Sequence, residues 1–203
     1  MKTIAIIDYR MGNVASVEKA LRAIGAHTIT TYQKAEIEKA DALILPGVGA
    51  FGDGMRNLVS LGLINLLNQE VRYAKKPFLG ICIGMQLLAS KGFEFGEHDG
   101  LGWVEGSTIK LDSNDVRLPH IGWNDIKMKA DDELFKNIPD NDFYFDHSFH
   151  FKPKNSSLIS ATCTYGEEFA AAVHQNNIYA VQFHPEKSQY SGLQVLRNFL
   201  SVC

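Results

Sequence analysis

The 203-residue sequence predicts an α/β fold: a single domain over residues 1–203, with a mixed, mostly parallel sheet, helices on both faces and an antiparallel extension. Three observations carry this expectation. In the first half, apolar runs of strand length alternate with segments of helical period, the pattern of a parallel sheet covered on both sides. In the second half, strand-like segments follow one another through turn-rich joins. No linker, repeat or low-complexity stretch divides the chain.

The elements follow in order. Thr3–Asp8 is an apolar run ended by a carboxylate and reads as a buried strand. Asn13 stands where it could cap a helix with Val14, Val17, Leu21 and Ile24 on its apolar face, closed by Gly25. His27–Tyr32 is rich in β-branched residues and reads as a second strand, and Ala42–Leu45, stopped by Pro46-Gly47, as a third. Leu58–Tyr73 has helical spacing until Lys75-Lys76-Pro77 breaks it. Phe78–Cys82 is a fourth apolar strand, and Gly84–Ser90 opens a helix. Strands are then expected over Trp103–Leu111, His120–Met128, Phe143–Phe151, Leu158–Tyr165, Phe169–Gln175 and Ile178–Phe183, with Asn176-Asn177 as a hairpin turn. Ser188–Cys203 reads as a final helix with Leu193, Leu196, Phe199 and Leu200 facing inward.

Composition narrows the function classes. A hydrophobic share of 45% is enough to build a core without disulfides or a structural metal. The formal charge is −3 and no Lys/Arg run is dense, so neither nucleic acid nor an anionic membrane is an expected partner. The start MKTIAIIDYR lacks a signal-peptide core, and no apolar stretch reaches bilayer length, which points to the cytoplasm. Cys82, Cys163 and Cys203 are odd in number and far apart, a poor basis for disulfides or a zinc site.

The chemistry concentrates in three places. Gly80-Ile81-Cys82-Ile83-Gly84 lies where a buried strand meets a helix, the nucleophile-elbow pattern with cysteine at its centre. A sharp turn holds the nucleophile in strained backbone, so residues two positions away must be small. The helix start behind Cys82 favours a thiolate and offers the Ile83 N–H to a developing oxyanion. Alone, Cys82 fits a buried structural cysteine equally well; the flanking glycines favour the nucleophile.

The second place is Gln182-Phe183-His184-Pro185-Glu186. On an extended backbone His184 and Glu186 share a face, with Cα atoms about 6–7 Å apart. The carboxylate can then orient the imidazole and leave its other nitrogen for the Cys82 proton. The third is Pro46-Gly47-Val48-Gly49-Ala50-Phe51-Gly52, which formally matches the G-x-G-x-x-G dinucleotide fingerprint. It follows the third strand rather than the first, and its ribose-binding acid would be Glu70, inside a helix. An oxyanion-binding loop fits better.

The blocks at 45–55 (LPGVGAFGDGM), 80–88 (GICIGMQLL), 118–125 (LPHIGWND), 144–149 (YFDHSF) and 182–188 (QFHPEKS) together resemble the class I glutamine amidotransferase family. Within it they are most similar to glutaminase subunits that serve imidazole glycerol phosphate formation. The resemblance implies a flavodoxin-like sheet, a triad of Cys82, His184 and Glu186, and no metal or organic cofactor. It implies an oxyanion hole from the backbone at Val48 or Gly49 and at Ile83. Glutamine contacts would come from Gly47, Gln86, His147 and Ser148. The implied partner is a (β/α)8-barrel cyclase in a heterodimer, which receives ammonia through a channel, with Asn13, Trp123, Tyr144 and Lys187 near the junction. Bland alternatives exist: Trp123 as core, Lys187 as a solvated charge.

Two departures stand out. Asp146 occupies a position where family members commonly carry an apolar residue, and a carboxylate there could alter docking or pair with a basic residue on the partner. The segment 93–103 is more similar to relatives that feed ammonia to a sugar amidotransferase in surface-polysaccharide synthesis. A stand-alone γ-glutamyl hydrolase of the same architecture would share the elbow and the histidine.

Overall fold

The structure is a computed structural model that describes residues 2–112, 116–129 and 131–203. Its elements are β1 (Thr3–Ile7), α1 (Val14–Ala23), β2 (His27–Thr31), α2 (Lys34–Lys39), β3 (Ala42–Leu45), α3 (Phe51–Ser60), α4 (Leu63–Leu67) and β4 (Phe78–Ile81). After α5 (Ile83–Gln86) come β5 (Lys91–Gly92), β6 (His98–Asp99), β7 (Gly106–Lys110), β8 (His120–Met128), β9 (Asp142–His147) and β10 (Phe149–Pro153). The chain ends with β11 (Ile159–Tyr165), β12 (Glu167–Gln175), β13 (Ile178–Val181) and α6 (Gln189–Val202).

The main sheet runs β2-β1-β3-β4-β13-β12-β11-β8-β9. Its first five strands are mutually parallel, and β12, β11, β8 and β9 then add antiparallel. The expected mixed α/β fold with an antiparallel extension is therefore present. A second sheet, β10-β7-β5-β6, flanks it.

The parallel strands are apolar throughout because they face a core on each side. Ile4 and Ile6 of β1 pack into one cluster with Ile44 and Leu79, while Ala5 and Ile7 pack into the other with Leu43, Leu45 and Phe78. Alternate residues point to opposite faces, so a strand covered twice cannot alternate apolar and polar. Helix α1 contributes Val17 and Leu21 to the first core, with Val14 and Ile24 half-buried at its margin. Helix α6 buries Leu196 and Phe199 there, and Leu193 and Leu200 lie at the margin.

Several boundaries differ from expectation for physical reasons. The single helix expected over Leu58–Tyr73 is broken at Gly62, whose φ of 68° ends α3 and starts α4; α4 then widens into a π-helical turn over Asn68–Tyr73. Helix α2 is too short and polar to show a period, burying only Ile37. The strand expected over Phe143–Phe151 is two strands in two sheets, parted at Ser148. Asn13 occupies the N-cap position of α1 in left-handed backbone, but its side chain does not cap. The Asn176-Asn177 hairpin is present, with Gln175 paired to Ile178 and Asn176 at φ 58°.

Candidate active site

The site forms at the carboxyl ends of β3, β4 and β13, where open α/β sheets bind ligands. Cys82 follows β4 directly, at φ 54° and ψ −108°. A non-glycine residue held at positive φ costs of order 1–3 kcal/mol and persists only where its surroundings enforce it. Here the two flanking glycines permit it. A Cβ on Gly80 would stand 2.6 Å from the Gly84 carbonyl oxygen, and one on Gly84 would stand 1.9 Å from the Leu45 carbonyl oxygen. The elbow is thus locked against β3 by backbone on backbone, which no side chain can replace.

His184 and Glu186 meet by a route the extended-backbone reading does not contain. His184 ends the extended stretch at φ −100° and ψ 95°, and Pro185–Lys187 form a 3-10 turn. The turn brings Glu186 Oε1 to 2.8 Å from His184 Nδ1, with both side chains fully buried. The His184 backbone is held on both sides: its N–H donates to Tyr144 O at 2.8 Å, and its carbonyl accepts from Ser188 Oγ at 2.7 Å. Asn13, which the sequence reading sets near a subunit junction, donates its side-chain amide to Glu186 Oε1 at 2.6 Å.

With Nδ1 committed to Glu186, the buried Nε2 of His184 has no hydrogen-bond partner and is the nitrogen left for the Cys82 sulfur. Burial opposes a charge on this imidazole. The sulfur and the Glu186 carboxylate outweigh burial and push the imidazolium up to about 10. The arrangement favours an imidazolium at His184, beside the elbow.

A pocket of about 310 Å³ opens over Cys82, bordered by the 48–50 loop, Gln86, Glu94, Phe95 and the 146–149 strand crossing. Gly47 is required in its loop, since a Cβ there would meet the Tyr9 hydroxyl at 2.3 Å and the Ile83 side chain at 2.5 Å. Gly49 adopts φ 118°. The Val48 N–H is committed to Met11 O at 2.9 Å, which leaves Gly49 N–H as the loop's candidate oxyanion donor beside Ile83. Ile83 opens α5, where the first N–H groups have no partner within the helix.

Gln86 is buried, and its Nε2 donates to Phe149 O at 2.7 Å and to Gln182 Oε1 at 3.1 Å. His147 lies at the pocket wall with its ring directed into a buried chain: Nδ1 donates to Phe149 O at 2.8 Å, so Nε2 accepts from His120 Nδ1 at 3.2 Å. Burial holds both rings neutral, lowering His147 to about 3 and His120 to about 4. Glu70, the ribose acid of the dinucleotide reading, is paired with Lys76 at 2.7 Å on the far side of β4. Trp123, Tyr144 and Lys187 do come together. Trp123 is half-exposed with its ring 6.1 Å from Tyr144, and the Lys187 ammonium lies over the Tyr144 ring at 5.3 Å. Asp146 lies 4.0 Å from Lys187 of its own chain.

Sequence reasoning missed Tyr9 and Gln182. The Tyr9 hydroxyl is buried without a hydrogen-bond partner beneath the glycine loop, and burial, then the nearby Cys82 sulfur, push its pKa up. Gln182 approaches Cys82 from below the elbow. For Gln182 the signal was its place at the end of β13, two residues before the histidine.

Comparison with known proteins gives the family and the fold. The family model described as glutamine amidotransferase class-I matches residues 5–203. The chain is 46% identical over 198 residues to imidazole glycerol phosphate synthase subunit HisH 1 of Campylobacter jejuni, covering 97% of this chain and 98% of that one. It is 45% identical over 201 residues to the HisH subunit of Aquifex aeolicus, covering 98% and 96%. Among solved structures, one described as a glutamine amidotransferase superposes with a TM-score of 0.77 at 20% identity, covering 98% of this chain and 97% of that one. PurLQS from Thermotoga maritima superposes with a TM-score of 0.75 at 18% identity, covering 99% and 98%. The chain belongs to the class-I glutamine amidotransferase family.

Proposed function

We propose that the chain is the glutaminase subunit of an imidazole glycerol phosphate synthase, releasing ammonia from glutamine for a (β/α)8-barrel cyclase. The observation that carries the chemistry is the His184 ring, tied through Nδ1 to buried Glu186 with Nε2 left for the sulfur. Full-length identity of 45–46% to HisH subunits carries the pathway.

The Cys82 thiolate attacks the side-chain amide carbon of glutamine. Negative charge gathers on the amide oxygen, which Ile83 N–H and the 48–49 loop stabilise. The His184 imidazolium gives its Nε2 proton to the departing nitrogen, and ammonia leaves a γ-glutamyl thioester on Cys82. Neutral His184 then takes a proton from water, which attacks the thioester and frees glutamate. Glu186 keeps the imidazole in the tautomer that both steps need. Gln86 Nε2 is occupied by Phe149 and Gln182, so its carbonyl oxygen is the part left to meet the substrate.

The surface cluster of exposed Trp123 and Lys187 around half-buried Tyr144 supports a partner face next to the site. The test is an assay of the chain purified with a barrel cyclase, given glutamine and the ribotide acceptor. Glutamate and imidazole glycerol phosphate should form one for one. Glutamate release stimulated only by a sugar-amidating partner would overturn the pathway assignment.

A further inference from the structure

We propose that Gln182 is a catalytic residue of this site: its side-chain amide donates a hydrogen bond to the Cys82 sulfur and stabilises the thiolate, held in that orientation by Gln86. Gln182 is fully buried at the end of β13, and its Nε2 lies 3.7 Å from Cys82 Sγ. That distance suits an N–H donor to sulfur.

The orientation of the amide is fixed by the network rather than by choice. Phe149 O can only accept, so the Gln86 group 2.7 Å from it must be its nitrogen. The same nitrogen lies 3.1 Å from Gln182. Turning Gln182 over would set two NH2 groups against each other in a buried site. Gln182 therefore presents its oxygen to Gln86 and its nitrogen to the sulfur. A backbone carbonyl thus sets the polarity of two buried amides in series, ending on the reacting atom.

The consequence is electrostatic. In a buried site a donor to the charged form favours that form. The titratable groups around the sulfur are His184, with Glu186 behind it, then Tyr9 and His147, with Asp146 and Glu94 on the pocket wall; the Asp146 backbone carbonyl also lies 3.9 Å from the sulfur. His184 supplies the proton traffic. Gln182 supplies a donor that never changes charge, so it holds the sulfur equally as attacking thiolate and as thiolate leaving group.

This role rests on Cys82 being the nucleophile, and the test separates the two. Site-resolved alkylation of Cys82 by iodoacetamide is followed against pH in the complex, with Gln182→Met and Gln86→Met as variants. Methionine keeps the length and volume of glutamine but has no donor. The midpoint of Cys82 reactivity should rise by about one pH unit in Gln182→Met, and by less in Gln86→Met, where Gln182 can turn. In Gln182→Met, kcat for glutamine hydrolysis should fall about tenfold with KM little changed. Should Gln182→Met fail to fold, the Gln86→Met shift still decides. An unmoved midpoint in the folded variants overturns the donor role alone. A wild-type Cys82 that never alkylates overturns the nucleophile assignment, and the donor role with it.

Discussion

Asn13 and Glu186 are 173 residues apart in sequence, yet Asn13 Nδ2 donates at 2.6 Å to the same carboxylate oxygen that His184 Nδ1 reaches at 2.8 Å. The start of α1 thus steadies the acid that steadies the imidazole. Glu186 Oε2 is buried without a partner, so Oε1 carries the whole arrangement. A hydrogen bond to a charged group is worth about 1.5–3 kcal/mol. Asn13→Ala should lower kcat for glutamine hydrolysis about tenfold or more while KM changes little, as steady-state kinetics of the complex would report. Unchanged kcat would remove Asn13 from the site.

The elbow glycines separate steric need from backbone strain. In Gly84→Ala the new methyl would meet the Leu45 carbonyl, so the variant should lose about 3 kcal/mol or more in denaturant unfolding. Gly62 offers the contrast. It has φ 68° but nothing within 4 Å of a Cβ, so Gly62→Ala should cost only about 1 kcal/mol. Equal losses at the two positions would contradict the packing of the elbow against β3.

His147 and His120 make the fold sensitive to acid. Their rings are held near 3 and 4 against about 6.5 in the unfolded chain, so the unfolded state binds more protons as pH falls. Their contribution is complete above pH 6.5 and is lost toward pH 3. Replacing His147 with Gln should flatten the stability–pH curve between pH 6 and 4 by up to about 1.4 kcal/mol per pH unit. His184 has the opposite sign: its contribution is fully present below pH 6.5 and is lost progressively as pH climbs from there to its folded value of about 10. Chemical denaturation across pH 4–10 reads both. An acid slope identical in wild type and His147→Gln would sink the neutral-histidine chain.

The parallel half of the fold was readable because strands buried on both faces have no alternative to continuous apolar runs, as in Ile4–Ile7 and Ala42–Leu45. The elbow was readable because its pattern is contiguous, although only Gly80 is demanded by neighbouring backbone, at Gly84, while Gly84 is demanded by the Leu45 carbonyl of β3. The split of Phe143–Phe151 was not, since that stretch alternates without a breaker and only tertiary pairing sends Phe149 onward to β7. The approach of Glu186 to His184 was foreseen by the wrong route, because Pro185 starts a 3-10 turn where an extended chain was expected. The partners of Asn13 and Gln182 were not readable for a different reason. Asn13 meets Glu186 from 173 residues away and Gln182 meets Cys82 from 100, so the place of Gln182 before the histidine marks the site without naming the sulfur as its partner.

The central claim is that Cys82 forms a thioester with glutamine, prepared by His184 and Glu186. The most direct measurement is glutamate release by Cys82→Ala in complex with the barrel subunit, with folding checked by circular dichroism. The account predicts a folded complex with no release above background, and a γ-glutamyl adduct on Cys82 in wild type trapped by rapid acid quench. Sustained glutamate release by the alanine variant would contradict it.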